Sequence, residues 1–222
     1  TEGELFAAAA ALAAGAAGLV ALAPRRGGVA RELEARLLAK LRERNSGASE
    51  AADQELGRLA DELRDLRAPF EAARLGGGAW AVAWSTGDLA WQRWAEALPQ
   101  IAPARPNRST QTYDVATRGL VNESQLLGDA VRVQVSGVFE EPPAGQDCPV
   151  QFEAAVDAGA LRCFGLALPL PIKGTGTVNV LYAGERVRVL GSSGDSGYEG
   201  KGAVTVQVPL AEWEASFARQ AS

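Results

Sequence analysis

The chain has 222 residues, a formal net charge of −5, 47% apolar residues and no histidine. This suits one domain with an extension and supplies ample material for a core, while the acidic balance argues against nucleic acid as a main partner. The missing histidine removes the commonest general base and the commonest metal ligand, and two cysteines, Cys148 and Cys163, are too few for a disulfide framework; free thiols in a reducing compartment are expected.

The first stretch, Leu5–Ala23, is 19 residues without a charge: eleven Ala, two Gly and six Leu, Phe or Val. As a helix rising ~1.5 Å per residue it is about 28 Å long, close to the ~30 Å hydrocarbon core. A transmembrane helix is the expectation, with residues 1–28 as anchor and basic flank. Ala is weakly hydrophobic, so the strength of this segment lies elsewhere: Ala11/Gly15 and Ala14/Gly18 are small-xxx-small pairs that admit another helix closely. Two other readings stay open. Ala21-Leu22-Ala23 has the form of a cleavage site after a targeting segment, although Pro24 would hinder cleavage, and an Ala-rich disordered tail has the same composition. Arg25 and Arg26 follow at once, so the positive-inside rule puts the rest of the chain on the cytosol-equivalent side.

Residues 29–75 read as a helical hairpin. Leu33, Leu37, Leu38 and Leu41 have helical spacing, and Asn45-Ser46-Gly47 has C-cap chemistry. Ser49 is placed to N-cap a second helix whose apolar face is Leu56, Leu59, Leu63 and Leu66. Glu62, Arg64, Asp65 and Arg67 read as its solvated face.

Residues 76–210 alternate with the period of strands. In A-W-A-V-A-W-S, Trp80, Val82 and Trp84 share one predicted face. Asp88 is placed to cap a short helix carrying Trp91, Trp94 and Leu98, and Pro99–Pro106 reads as a loop. The run Gln111–Ser124 is taken as one strand, Val131–Phe139 as another, and Val150–Val156 as a third. If Asp157-Ala158-Gly159 is a hairpin turn, the two cysteines are out of register across it. From Leu161 to Val208 the alternation is strongest. There Val178, Val180, Tyr182, Val187 and Val189 form the apolar set, opposite Thr177, Asn179, Arg186 and Arg188. The loop Gly191–Gly200 leads to a last strand, Ala203–Val208, and residues 211–222 are expected as a tail or short helix. Seven or eight short antiparallel strands point to a barrel or sandwich, and a barrel of that size can hold one small ligand.

Four blocks carry a resemblance to a known family. They are the helical lead-in L-L-A-K-L-R-E-R-N-S-G-A-S-E with L-A-D-E-L-R-D-L, the strand G-A-W-A-V-A-W-S-T-G, the block R-G-L-V-N-E-S, and G-L-A-L-P-L-P with V-L-Y-A-G-E-R-V-R-V before K-G-A-V-T-V. In order and spacing, over Leu37 to Val208, this resembles the plastid lipid-associated proteins, the fibrillins of plastoglobules and thylakoids. The resemblance implies a mainly β fold, a lipocalin-like antiparallel barrel after a helical N-terminus, and no established chemistry. Tyr182 and Arg188 sit where the family has its Tyr and Arg, whereas Gly184 and Arg186 replace acidic positions and the Gly191–Gly200 loop is longer. The leading helix lies outside the family pattern.

Gly194-Asp195-Ser196-Gly197 resembles a protease nucleophile loop, but a Ser nucleophile needs a base and no His exists to serve. Gly174-Thr175-Gly176 lacks the strand–loop–helix context of a dinucleotide site, and no ligand cluster suggests a metal. No catalytic residue is therefore expected. Trp84, Tyr113, Phe139, Phe152, Tyr182 and Arg188 are the candidate barrel lining, for an acyl chain, quinone or carotenoid. No cofactor is required, although a lipid, carotenoid or chlorophyll could sit at the membrane helix. The expected role is a structural or assembly subunit of a photosynthetic complex, a photosystem with its antenna, held through residues 5–23 in the chloroplast thylakoid with its main domain stromal. A tethered carrier of apolar plastid molecules is the alternative.

Overall fold

The computed structural model describes residues 27–47, 49–87, 108–192 and 203–217. The expected membrane helix over Leu5–Ala23, the cap at Asp88 with Trp91, Trp94 and Leu98, the Pro-rich run and most of the Gly191–Gly200 loop lie outside them. Among the described residues no helix is long and apolar enough to cross a membrane.

Residues 27–46 form α1. Its Leu33, Leu37, Leu38 and Leu41 are buried at the predicted spacing. It ends where Ser46 Oγ donates back to Glu43 O at 2.8 Å. Helix α2, Glu50–Asp65, starts as read: the Ser49 hydroxyl accepts from Ala52 N at 3.2 Å, and Glu50 and Asp53 complement the positive helix start. Leu56, Leu59 and Leu63 are buried, while Arg58 and Glu62 pair on the solvated face.

A 3₁₀ turn, Ala72–Leu75, leads into nine strands. They are β1 Ala79–Ser85, β2 Ser109–Asp114, β3 Gly119–Leu127, β4 Val131–Phe139, β5 Val150–Cys163, β6 Leu166–Leu170, β7 Gly174–Ala183, β8 Arg188–Ser192 and β9 Val204–Pro209. A short helix α3, Leu210–Phe217, closes the described chain. All pairings are antiparallel, in the order β4-β3-β2-β1-β9-β8-β7-β5-β6, and β4 also pairs with β5. Hydrogen bonding therefore returns on itself, giving a ring of strands that leaves β6 outside as an edge. Strand β5 makes this possible by length. Its 14 residues pair with β4 along one side, and on the other side 150–156 pair with β7 and 159–163 with β6.

Four sequence expectations are corrected. The apolar set Val178, Val180, Tyr182, Val187 and Val189 does not share one face: the β7–β8 register shifts between Val180 and Tyr182, so Val178 and Val180 join the inner cluster and Tyr182, Val187 and Val189 the outer one. Gln111–Ser124 is a hairpin, not one strand. Asp114 Oδ1 accepts from Ala116 N at 3.0 Å and Thr117 N at 3.1 Å, and Arg118 takes φ 56° to complete the turn. Asp157-Ala158-Gly159 is not a turn either: it lies inside β5, at a bulge where Ser136 faces Ala158 and Gly137 faces Val156. The real turn is Phe164-Gly165, with φ 48° and 85°, the paired positive angles of a tight hairpin. Finally, Trp84 leaves the face of Trp80 and Val82, because the register of β1 against β9 shifts between Val82 and Trp84.

The two faces of the ring are buried by different partners. Outside, Val187, Val189, Val206 and Val208 join Trp84, Trp213 and the leucines of α1 and α2 in one cluster. Inside, Phe70 and Leu75 cover Tyr113, Phe139, Phe152 and Val180 in a second. The helices thus share a core with the sheet. Cys148 is buried and Cys163 half-buried, and both are free thiols.

Candidate functional site

The strands run so that Trp80, Asp114, Phe139, Val150, Ala183, Arg188 and Pro209 gather at one end of the ring. Arg188 is the organising side chain there. It opens β8, opposite Ala183 and Gln207, and points inward at 0% exposure. Its Nη1 donates to Leu75 O at 2.6 Å, and Nη2 donates to Gln207 Oε1 at 2.8 Å and Gln111 O at 3.5 Å. The guanidinium lies over the Trp80 ring, 4.2 Å from its centroid, and 5.5 Å from that of Tyr113. Trp80 Nε1 donates to Gly76 O at 3.1 Å. Two successive carbonyls of the turn region are therefore held by side chains from the ring, and Leu75 is seated over this end.

Among the described residues no carboxylate forms an ion pair with Arg188, and its Nε finds no hydrogen-bond partner. Burial pushes the guanidinium down to about 9, which leaves it charged at neutral pH. Carbonyl dipoles and the π face of Trp80 stabilise the cation in place of a counter-ion. Beside it the rings of Tyr113 and Phe139 meet edge-to-face at 5.2 Å, and Tyr113 and Phe152 at 6.2 Å. The end is packed with side chains.

The six predicted lining residues divide. Tyr113, Phe139, Phe152 and Arg188 are brought together inside. Trp84 and Tyr182 face the helical layer instead. Trp84 Nε1 donates to Asp53 Oδ1 at 2.8 Å, and Asp53 also takes Arg44 Nε at 2.5 Å. Tyr182 Oη donates to Glu34 Oε1 at 2.9 Å in a buried contact across α1 and β7. Burial raises the Glu34 carboxyl, partly offset by that hydrogen bond, and burial together with the Glu34 charge raises the Tyr182 phenol. A Cβ on Gly184 would fall 1.8 Å from Glu34 Oε1 and 2.8 Å from the Tyr182 ring, so any side chain at 184 requires the Glu34–Tyr182 pair to shift. Trp80, Gln111, Gln207 and Leu75 were missed as site residues. Only the alternation of β1, read as far as Trp80, hinted at one of them.

At the far end of the ring the inner face continues without a cover of this kind. Cross-strand partners Val131–Cys163–Leu166, Val133–Leu161–Leu168 and Val135–Gly159–Leu170 form an apolar sheet surface in line with Phe139. The three valines are only half-buried, and Leu166 and Leu168 are 69% and 52% exposed. An open groove of about 600 Å³ lies outside the packed end, between Gly76–Gly78 and Tyr113–Ala116.

Chemically, the buried guanidinium, carbonyls and aromatic rings of this end can bind and hold. Ser196 of the sequence motif, and Ala11, Ala14, Gly15 and Gly18 of the helix-packing face, lie outside the described residues. Among the described residues no group of three or more His, Cys, Asp or Glu is placed to hold a metal ion. Comparison with protein-family models, with curated proteins and with solved structures finds no match to this chain.

Proposed function

We propose that this chain is a membrane-tethered, non-catalytic scaffold of lipocalin-like barrel form. In this reading it serves as a structural or assembly subunit of a photosynthetic membrane complex, a photosystem with its antenna. The ring is the part that docks, and the Ala/Gly-rich segment 5–23 is the part that anchors. The observation that carries the scaffold reading is the packed end, where Arg188, Trp80 and three interlocked rings occupy the space that a carrier would give to its cargo. The fibrillin resemblance supports the thylakoid setting, and the basic run after residue 24 supports a stromal ring.

The partner-bound helix is argued from magnitudes. Each Leu, Phe or Val contributes only about −0.3 to −0.6 kcal/mol to insertion, so six of them give a few kcal/mol at most. A helix so marginal in lipid gains by close approach to a neighbour, which its Ala/Gly surface allows. Replacing Gly15 and Gly18 by Leu is the test. Membrane insertion should survive or improve, while co-purification with the large complex should be lost. Co-migration at wild-type levels would reduce the segment to a simple anchor.

A second reading, a tethered carrier of apolar plastid lipids, quinones or carotenoids, is favoured by the half-buried Val131–Val133–Val135 surface at the far end. A carotenoid or quinone that co-purifies with the chain and is released by Val133→Asp would select it.

A further inference from the structure

The β5–β6 hairpin runs on beyond the last β5–β7 pair, Val156 with Gly174, and reaches the level of the β3–β4 turn. Phe164 at its tip is 78% exposed, and with Leu166 and Leu168 it accounts for three of the five exposed large apolar side chains among the described residues, all within five residues. Such a cluster on a soluble surface marks a contact. The tip is held in place, since Phe164 N donates to Ala130 O at 2.8 Å and joins the β3–β4 turn to this one. Leu161, Leu166 and Leu168 share one face; Arg162 lies on the other, its Nε donating to Gln134 Oε1 at 2.7 Å, beside Arg132. Charge is arranged to match. Between Asp157 and Glu185 the sequence has no carboxylate, yet it carries Arg162 and Lys173 in a chain of net charge −5; Asp129, the carboxylate on the adjoining β3–β4 turn, accepts from Gln125 Nε2 at 2.7 Å and lies 3.9 Å from Arg108.

We propose that this hairpin is a second membrane contact, which sinks Phe164, Leu166 and Leu168 into the interfacial zone of a bilayer while Arg162 and Lys173 meet anionic headgroups. The proposal builds on the tethered reading by naming which end of the ring meets the lipid. A second copy added along the edge is disfavoured by the edge itself: β6 carries Pro169, which has no N–H to donate, and Pro171 follows.

The test uses the full chain with Cys163→Ser and a single environment-sensitive fluorophore on Phe164→Cys, with a matched label on Asp61→Cys of α2. Vesicles of phosphatidylcholine and phosphatidylglycerol are the probe, and sedimentation reports binding separately. The proposal expects the label at 164 to shift to the blue and brighten several-fold on vesicles while the label at 61 does not. It also expects Arg162→Glu with Leu168→Ser to remove most of that change. A label at 164 that stays in water on sedimented vesicles overturns the hairpin contact and leaves the tether intact. No sedimentation and no shift overturns both. A shift without vesicles that grows with protein concentration would give the surface to a second copy and overturn the proposal.

Discussion

At one end of the ring Arg188 is wholly buried among carbonyls and aromatic faces; at the other, Phe164 stands 78% exposed at a hairpin tip. Both ends belong to the same antiparallel strands with the same alternation. They differ in what covers them. The 3₁₀ turn Ala72–Leu75 and Phe70 lie over the first end, tied down by Arg188 and Trp80. At the second end β5 runs on after β7 has left it, so 159–163 keep only β4 and the edge strand β6 as neighbours. Alternation decides which side chains share a face; only the third dimension decides whether that face is wet. A cation can therefore occupy the inner face at one end and leucines an exposed face at the other.

The largest break in this comparison should come from Arg188→Met. It leaves Leu75 O, Gln207 and Gln111 O without their donor and removes the contact with Trp80. Two or three orphaned buried acceptors at ~1–3 kcal/mol each, with relief from the buried charge, give a loss of about 3 kcal/mol. Urea unfolding measures it, and a loss under ~1 kcal/mol would mean that Arg188 does not hold the end together.

Glu34 gives a smaller, pH-dependent effect at the outer face. Its folded pKa is raised by burial, so the folded state binds the proton more tightly than the unfolded state. That favourable proton binding is fully present below the unfolded carboxylate range and is lost as pH rises to the folded value. Glu34→Gln keeps an acceptor for Tyr182 and carries no charge. It should stabilise the protein at neutral pH and flatten that slope, as read by thermal melts at several pH values. Equal slopes in the two proteins would place Glu34 in water.

The smallest effect belongs to the far end. Leu166→Ser with Leu168→Ser should change stability by less than ~0.5 kcal/mol per site, because both side chains are already mostly exposed. A loss comparable to that of Arg188→Met would show that something covers the hairpin in the free protein.

Much of this was legible in the sequence. The leucine spacing of both helices, the Ser49 cap and the existence of strands between Val178 and Val208 follow from local periodicity, which is physical and short-range; their faces do not, because the β7–β8 register shifts between Val180 and Tyr182. What was not legible depends on register. A bulge between Val82 and Trp84 turns Trp84 toward α2, and nothing within β1 announces it. The β2–β3 turn was hidden because Val115–Arg118 contains neither Gly nor Pro, and an Asp114 side chain does the work of the turn. Arg188 fell among Thr177 and Asn179 on a face that alternation alone labels polar. It is buried because both faces of β8 are covered, by helices outside and by the ring inside.

Native-state hydrogen exchange resolved by residue compares the two ends most directly. The account predicts that amides of Val189, Val206 and Gln207, next to the Arg188 network, exchange only through global unfolding. Amides of 161–168 should exchange through local opening at a much lower free energy. Equal protection at the two ends would contradict it.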